Sequence, residues 1–307
     1  MRLVSYRKGN KVRAGVEHNA RVYDLESAMK RARVGQPVSD LCALLEQAGW
    51  KQKLKKLKFG ERNESIPISK VRLAPPIGEP RKLIISGLNS YSHLRELEAL
   101  TGKVELPRYP MTIGKATSSI SGPHDDIVLP PETKKLDYEC ELAVVIGRKC
   151  RRVPVEKIRS YLAGFMTMND VSARDVQLAD GQALFYRVHF PGKSFDTFCP
   201  TGPALVTIDE FPAKRILKMR TFVNGKVRQD SDTADFIFTV EKVVSHVSQI
   251  MTLLPGDIIS MGSPAGVILA EPKPVYLKSG DVVRCEIEGI GGVENRIKSD
   301  KIKKAAF

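Results

Sequence analysis

Apolar and polar positions alternate at the start of the chain. Leu3, Tyr6, Val12, Ala14, Val16 and Val22 stand among polar and charged neighbours, which predicts a small β-hairpin over residues 1–25. Residues 24–50 change to helical spacing, broken at Gly35-Gln36-Pro37. Proline and glycine then crowd residues 73–80 and mark a linker, so a small N-terminal domain (1–76) is expected ahead of a larger one (77–307).

The larger part opens with a short apolar strand at 82–87 that ends in Gly87. Residues 136–147 read as a strand entering a core, and 143–146 are apolar on both faces, the pattern of a strand covered on both sides. A second strand over 163–170 feeds a helical turn at 171–177. Asn224-Gly225 is the favoured two-residue turn of a hairpin. Val240, Val243, Val244, Val247, Ile250, Met251 and Leu254 trace an amphipathic helix stopped by Pro255-Gly256. Residues 257–261 and 281–287 are further strands, and a basic tail starts at Arg296. Strands outnumber helices without βαβ alternation, so the fold class expected is α+β with a β-rich core.

Composition narrows the function classes. The 307 residues are 42% hydrophobic, enough for a sizeable core, and contain no apolar run long enough for a membrane span. The five cysteines are scattered without CxxC spacing and read as reduced thiols of a cytoplasmic protein. The net charge of +14 raises the question of nucleic acid. Its densest run, Lys51-Gln52-Lys53-Leu54-Lys55-Lys56-Leu57-Lys58, is instead expected as a short helix with one apolar edge and a solvated basic face. No nucleic-acid or membrane partner is expected, and attraction of small anionic substrates accounts for the charge.

Candidate chemistry collects around residues 136–177. Alternation along a strand points Glu139 and Glu141 the same way, roughly 7 Å apart, at the mouth of an apolar segment. Two such carboxylates either line a solvated edge or share a hard cation with oxygen ligands, and Asp170, at the strand-to-helix switch, either caps the helix or supplies a third ligand. Arg174 and Gln177 share a helix face. His93 and Glu96 have the same spacing; they are a surface pair or a carboxylate-oriented imidazole suited to general-base work on water. Lys193, among small and apolar residues, either snorkels to the surface or holds an oxyanion. The turn Gly262-Ser263-Pro264-Ala265-Gly266 offers backbone N–H groups and a hydroxyl to an anion.

Six separated motifs, in order, resemble the fumarylacetoacetate hydrolase family over about residues 83–297. They are Gly87-x-Asn89…His93-x-x-Glu96, Lys115…Ser118-Ser119, Glu139-x-Glu141-Leu142, Asp170-x-Ser172-Ala173-Arg174-Asp175, Gly192-Lys193-Ser194-Phe195-Asp196 and Pro255-Gly256-Asp257…Gly262-Ser263-Pro264. The end of the chain looks closest to the branch of domain-containing proteins that includes oxaloacetate tautomerases. The resemblance implies a mixed β-roll with a sandwich core, a homodimer, and Mg²⁺ or Mn²⁺ held by Glu139, Glu141 and Asp170. It implies substrate contacts at Arg174, Gln177, Lys193, Gly262 and Ser263 and a lid dyad of His93 and Glu96. The activity implied is attack on a small anionic 2-oxo acid through an enolate: hydrolysis of an acylpyruvate-type C–C bond, with tautomerisation, isomerisation or decarboxylation as the alternative. Two positions depart from the family pattern: Ser90 stands where relatives often have Tyr, and Ile113 where an aromatic usually precedes Lys115.

Overall fold

Cys140–Ile146 is buried at every position because each of its faces meets a different core. Leu142, Val144 and Ile146 pack into one cluster with Met219, Val283 and Ile287, while Ala143 and Val145 pack into another with Leu25, Leu44 and Trp50. An apolar run without alternation is what two covered faces require. In the computed structural model, which describes residues 1–60, 64–178 and 189–301, this strand lies inside a 12-stranded sheet. Its main path runs Ile66–Pro67, Arg21–Asp24, Lys11–His18, Arg2–Lys8, Cys199–Thr207, Leu162–Asn169, Cys140–Ile146, Ile258–Ser260, Leu83–Gly87, Met111–Gly114. A second sheet, in the order Lys226–Asp232, Lys218–Val223, Val282–Ile287, Gly291–Ser299, Ile127–Leu129, covers one face. The pairings are mixed: Cys140–Ile146 runs antiparallel to both neighbours, whereas Ile258–Ser260 is parallel to Leu83–Gly87. The β-rich α+β architecture expected from the sequence is therefore present.

The helices are α1 (Leu25–Ala32), α2 (Leu41–Glu46), α3 (Trp50–Lys55), α4 (Tyr91–Thr101), α5 (Arg174–Gln177), α6 (His189–Lys193) and α7 (Val240–Ile250). The first three cover the other face of the large sheet through Leu25, Met29, Leu41, Leu44, Trp50 and Leu54. As expected for the lysine run, Leu54 and Leu57 are buried while Lys55, Lys56 and Lys58 are exposed. Among the described residues no helix is long and apolar enough to cross a membrane.

Several local expectations change. The N-terminal hairpin is a three-stranded meander, Arg2–Lys8, Lys11–His18 and Arg21–Asp24, and its first strand pairs with Cys199–Thr207. The proline-rich stretch at 73–80 is not free of structure: Leu73–Ala74 pairs with the first strand and Ile77 is fully buried. Residues 136–147 divide, because Leu136–Asp137 pairs with Ser172–Ala173 while Cys140–Ile146 pairs with Leu162–Asn169. Helix α7 stops at Ile250, short of Leu254 and Pro255. Gly291–Ser299, expected in part as tail, is a strand whose Val293, Asn295 and Ile297 face inward; the tail beyond residue 301 lies outside the described residues.

Candidate active site

The division at Tyr138 and Glu139 builds the site. Asp137, fully buried, accepts hydrogen bonds from Tyr138 N (2.8 Å), Ile268 N (2.9 Å) and Leu269 N (3.1 Å), which ties the strand's start to the neighbouring turn. Glu139 and Glu141 then face one cavity of about 200 Å³. The Asn169 side chain accepts from Glu139 N at 3.0 Å, and Asp170 N donates to Glu139 O at 2.9 Å, so the end of Leu162–Asn169 brings Asp170 beside the glutamates. One oxygen each of Glu139, Glu141 and Asp170 lies within 4.8 Å of the others, and all three residues are buried. The solvated-edge alternative for the glutamates is thereby excluded.

Three cations answer these charges. Lys193 Nζ donates to Glu139 Oε2 (2.7 Å), to Asp170 Oδ2 and to Ser172 Oγ (3.0 Å). Lys115 Nζ donates to Asp170 Oδ1 at 2.6 Å. Arg174 donates through Nε to Asp137 (2.8 Å), through Nη2 to Glu139 Oε1 (2.6 Å) and through Nη1 to Gln177 Oε1 (2.9 Å). Burial opposes ionisation of Glu139, but Lys193 and Arg174 outweigh it and hold its carboxyl well below the usual range. Burial likewise disfavours the Lys193 ammonium, and Asp170 with Glu139 overcome this and push its pKa up. Lys193 is 3% exposed, so it is no snorkelling lysine. Its three N–H donors are all engaged, and in this arrangement it acts as counter-charge to the carboxylates rather than as a free oxyanion donor.

Glu141 is the exception. Among the described residues it has no cationic partner; the Ser260 hydroxyl donates to its Oε2. Burial first, then the charges of Asp170 and Glu139, raise its pKa well above the ordinary carboxylate value. A buried carboxylate beside two others needs a positive charge that no described residue pairs with it. Three hard oxygen donors in reach of one point, each carboxylate oxygen keeping a second lone pair, fit a divalent cation. Ser86 Oγ, buried without a hydrogen-bond partner among the described residues and also on the cavity wall, is a further polar atom open to a ligand.

His93 and Glu96 sit on α4, on the one helix face their spacing implies. Ser90 caps this helix, its hydroxyl accepting from His93 N (3.1 Å) and donating to Asp235 (2.8 Å). His93 Nδ1 lies 3.0 Å from Glu96 Oε2, and Glu96 Oε1 accepts from Gly266 N at 2.6 Å. Ala265 N donates to Ser92 Oγ at 3.0 Å. Two N–H groups of the glycine-bounded turn, expected to be open to an anion, therefore hold α4 in place. Gly262 and Ser263 do line the cavity, and Ser263 Oγ accepts from Gln229 Nε2 at 2.8 Å.

His93, Glu139, Glu141, Arg174, Gln177, Lys193, Gly262 and Ser263 thus line a single cavity, with Asp170 beside it. Sequence reasoning passed over Asp137, Lys115 as an ion-pair partner, Ser260 and His189. An isolated aspartate opening an apolar strand was a signal for Asp137; His189 had none. Gly192 permits α6 to approach: a Cβ there would stand 2.7 Å from Gln177 Cα.

Residues 82–298 match the family model for the C-terminal part of fumarylacetoacetate (FAA) hydrolase. The chain belongs to the fumarylacetoacetate hydrolase family. Within it, this protein is 44% identical over 232 residues to the rat (Rattus norvegicus) protein named oxaloacetate tautomerase Fahd2a, mitochondrial, covering 76% of this chain and 71% of the relative. It is 41% identical over 245 residues to the fumarylacetoacetate hydrolase domain-containing protein 2 homolog of Dictyostelium discoideum, 77% of each chain being covered. Among solved structures, fumarylacetoacetate hydrolase from Exiguobacterium antarcticum superposes with a TM-score of 0.76 at 32% identity, covering 98% of this chain and 100% of that one. The 2-hydroxyhepta-2,4-diene-1,7-dioate isomerase from Mycobacterium marinum does so with a TM-score of 0.73 at 31% identity and the same coverage. Members of this family are enzymes, and the buried acidic triad is the part of this one suited to a divalent metal.

Proposed function

We propose that this protein is a metal-dependent enzyme of small 2-oxo acids that interconverts the keto and enol forms of an oxaloacetate-type substrate. The observation that carries the reading is the buried Glu139–Glu141–Asp170 triad, in which Glu141 has no cationic partner among the described residues, opening onto the same cavity as His93. Relatives sharing 44% and 40% of aligned residues and named oxaloacetate tautomerases support the choice of reaction.

Glu139, Glu141 and Asp170 would hold Mg²⁺ or Mn²⁺, which when bound supplies Lewis-acid polarisation of substrate oxygens. Arg174 and Lys193 keep Glu139 ionised and fixed in place, and Lys193 with Lys115 fixes Asp170. Glu96 engages His93 Nδ1, so Nε2 is the ring nitrogen left to take a proton from the carbon next to the keto group. As that C–H bond breaks, its electron pair forms the C=C bond, the carbonyl π pair moves onto the keto oxygen, and the proton taken by His93 Nε2 is returned to that oxygen to complete the enol. Apolar side chains on the cavity wall, Leu97, Met111 and Ile113, limit the approach of bulk water to that proton.

A second reading, hydrolysis of the C–C bond of an acylpyruvate, is favoured by the same His93–Glu96 pair, because a base set by a carboxylate also suits activation of water. A homodimer in the cytoplasm belongs to the same proposal, although the rat relative's name places that protein in mitochondria. The test is a turnover screen with Mg²⁺ and with Mn²⁺ over oxaloacetate, acylpyruvates and 2-hydroxy-dienoates. Enol–keto conversion of oxaloacetate faster than any C–C cleavage supports the first reading, and no turnover of any of them removes both.

A further inference from the structure

His189 is a histidine that neither the motifs nor the metal site account for. It opens α6, is half-buried and lines the same cavity as His93. Its Nδ1 lies 2.7 Å from Gln177 Nε2, and Gln177 Oε1 lies 2.9 Å from Arg174 Nη1. The chemistry of these groups settles the direction of every bond. A guanidinium only donates, so the Gln177 atom facing it is the carbonyl oxygen and the atom facing His189 is the amide nitrogen. An amide nitrogen also only donates, so His189 Nδ1 accepts. Its proton is then on Nε2.

His93 is set the other way. Its Nδ1 faces Glu96, whose carboxylate accepts, so Nδ1 carries the proton and Nε2 presents a lone pair. The cavity therefore contains one imidazole polarised as an acceptor and one polarised as a donor. The donor matters because the nearby cations among the described residues are already committed. Lys193 uses all three of its N–H donors on Glu139, Asp170 and Ser172, and Arg174 is paired with Asp137 and Glu139.

We infer that His189 is a substrate-binding residue: a neutral imidazole, locked as the Nε2–H tautomer by the Arg174–Gln177 relay, that donates a hydrogen bond to an oxygen of the 2-oxo acid. The inference rests on the functional reading above for the class of substrate, while the tautomer follows from this chain's hydrogen bonds alone. Burial, then the charge of Lys193, lowers the pKa of His189 and keeps the ring uncharged at neutral pH. A neutral imidazole is the appropriate partner for an oxygen that gains charge as the enol forms, because it stabilises that charge without having protonated the site beforehand.

Two measurements test this. Ring-nitrogen NMR of the metal-free wild-type protein, assigned with His189→Gln, reads the tautomer directly: the proton is expected on Nε2 of His189 and on Nδ1 of His93. A proton on Nδ1 of His189 overturns the inference. Calorimetry with oxalate as the probe, in Mn²⁺, should show His189→Leu binding at least about tenfold more weakly. His189→Gln, which retains an N–H donor, should recover most of that affinity, as a merely space-filling role would not. Unchanged oxalate affinity in His189→Leu overturns the inference. If the wild type turns over no 2-oxo acid, the functional reading falls, while oxalate binding lost in His189→Leu and regained in His189→Gln still supports the donor.

Discussion

Lys193 and Glu139 form a buried ion pair, Nζ to Oε2 at 2.7 Å, on the floor of the cavity. The same ammonium also pairs with Asp170, so its removal leaves Glu139 with Arg174 alone and Asp170 with Lys115 alone. Breaking a buried pair on one side costs about 3–5 kcal/mol. Lys193→Met should therefore unfold at a markedly lower temperature than wild type in the presence of a chelator. Added Mn²⁺ should raise the melting temperature of the variant more than that of the wild type. Equal shifts in thermal denaturation would separate Lys193 from the metal site.

Among the described residues Glu141 lacks the cationic partner that Glu139 and Asp170 have, which makes it the cleanest carboxylate to neutralise. Glu141→Gln keeps the shape and removes a charge that burial disfavours, so the metal-free variant should be at least as stable as wild type. Its Mn²⁺ affinity should fall about 100-fold, since a charged ligand is lost from a three-carboxylate set. Titration calorimetry on the two proteins reads this difference.

His93 separates the two candidate reactions. Loss of a general base lowers a rate by about 10²–10⁴-fold. His93→Ala should lose both tautomerisation and acylpyruvate hydrolysis to that degree if Nε2 takes the substrate proton. If its role is only to activate water, hydrolysis alone should fall. Parallel assays of both activities in that variant distinguish the two, and oxalate binding should persist in either case.

Burial and the neighbouring Lys193 depress the pKa of His189, and this has a consequence for stability. An unfolded chain protonates that ring near pH ~6.5, whereas the folded protein keeps it neutral to lower pH. Below the unfolded value the unfolded state binds more protons, so stability declines as pH falls. His189→Gln lacks this linkage, and its denaturation midpoint should drop less steeply than that of the wild type from about pH 7 downward. Identical pH slopes would show that the ring is not depressed.

What the sequence made legible followed from local rules. The pairing of side chains on one face of a strand identified Glu139 and Glu141 as neighbours, and both open on one cavity. Asn224 and Gly225 have positive φ and join Lys218–Val223 to Lys226–Asp232, as the turn chemistry required. The amphipathic spacing of α7 placed Val243, Val244 and Val247 in the core. What escaped depended on distant partners. Glu141 meets Ser260 across 119 residues, and Asp137 holds the backbone at Ile268 across 131. No local pattern encodes those approaches. His189 was invisible for the same reason, since its orientation comes from Gln177 and the close contact that Gly192 allows.

The measurement that tests the central claim most directly is the rate of enol–keto conversion of oxaloacetate by chelator-treated protein, before and after Mn²⁺ or Mg²⁺ is restored. The rate should be close to the uncatalysed one without metal, recover on addition of the ion to wild type, and recover little in Glu141→Gln. Full conversion by the metal-free protein, or equal recovery in wild type and Glu141→Gln, would contradict it.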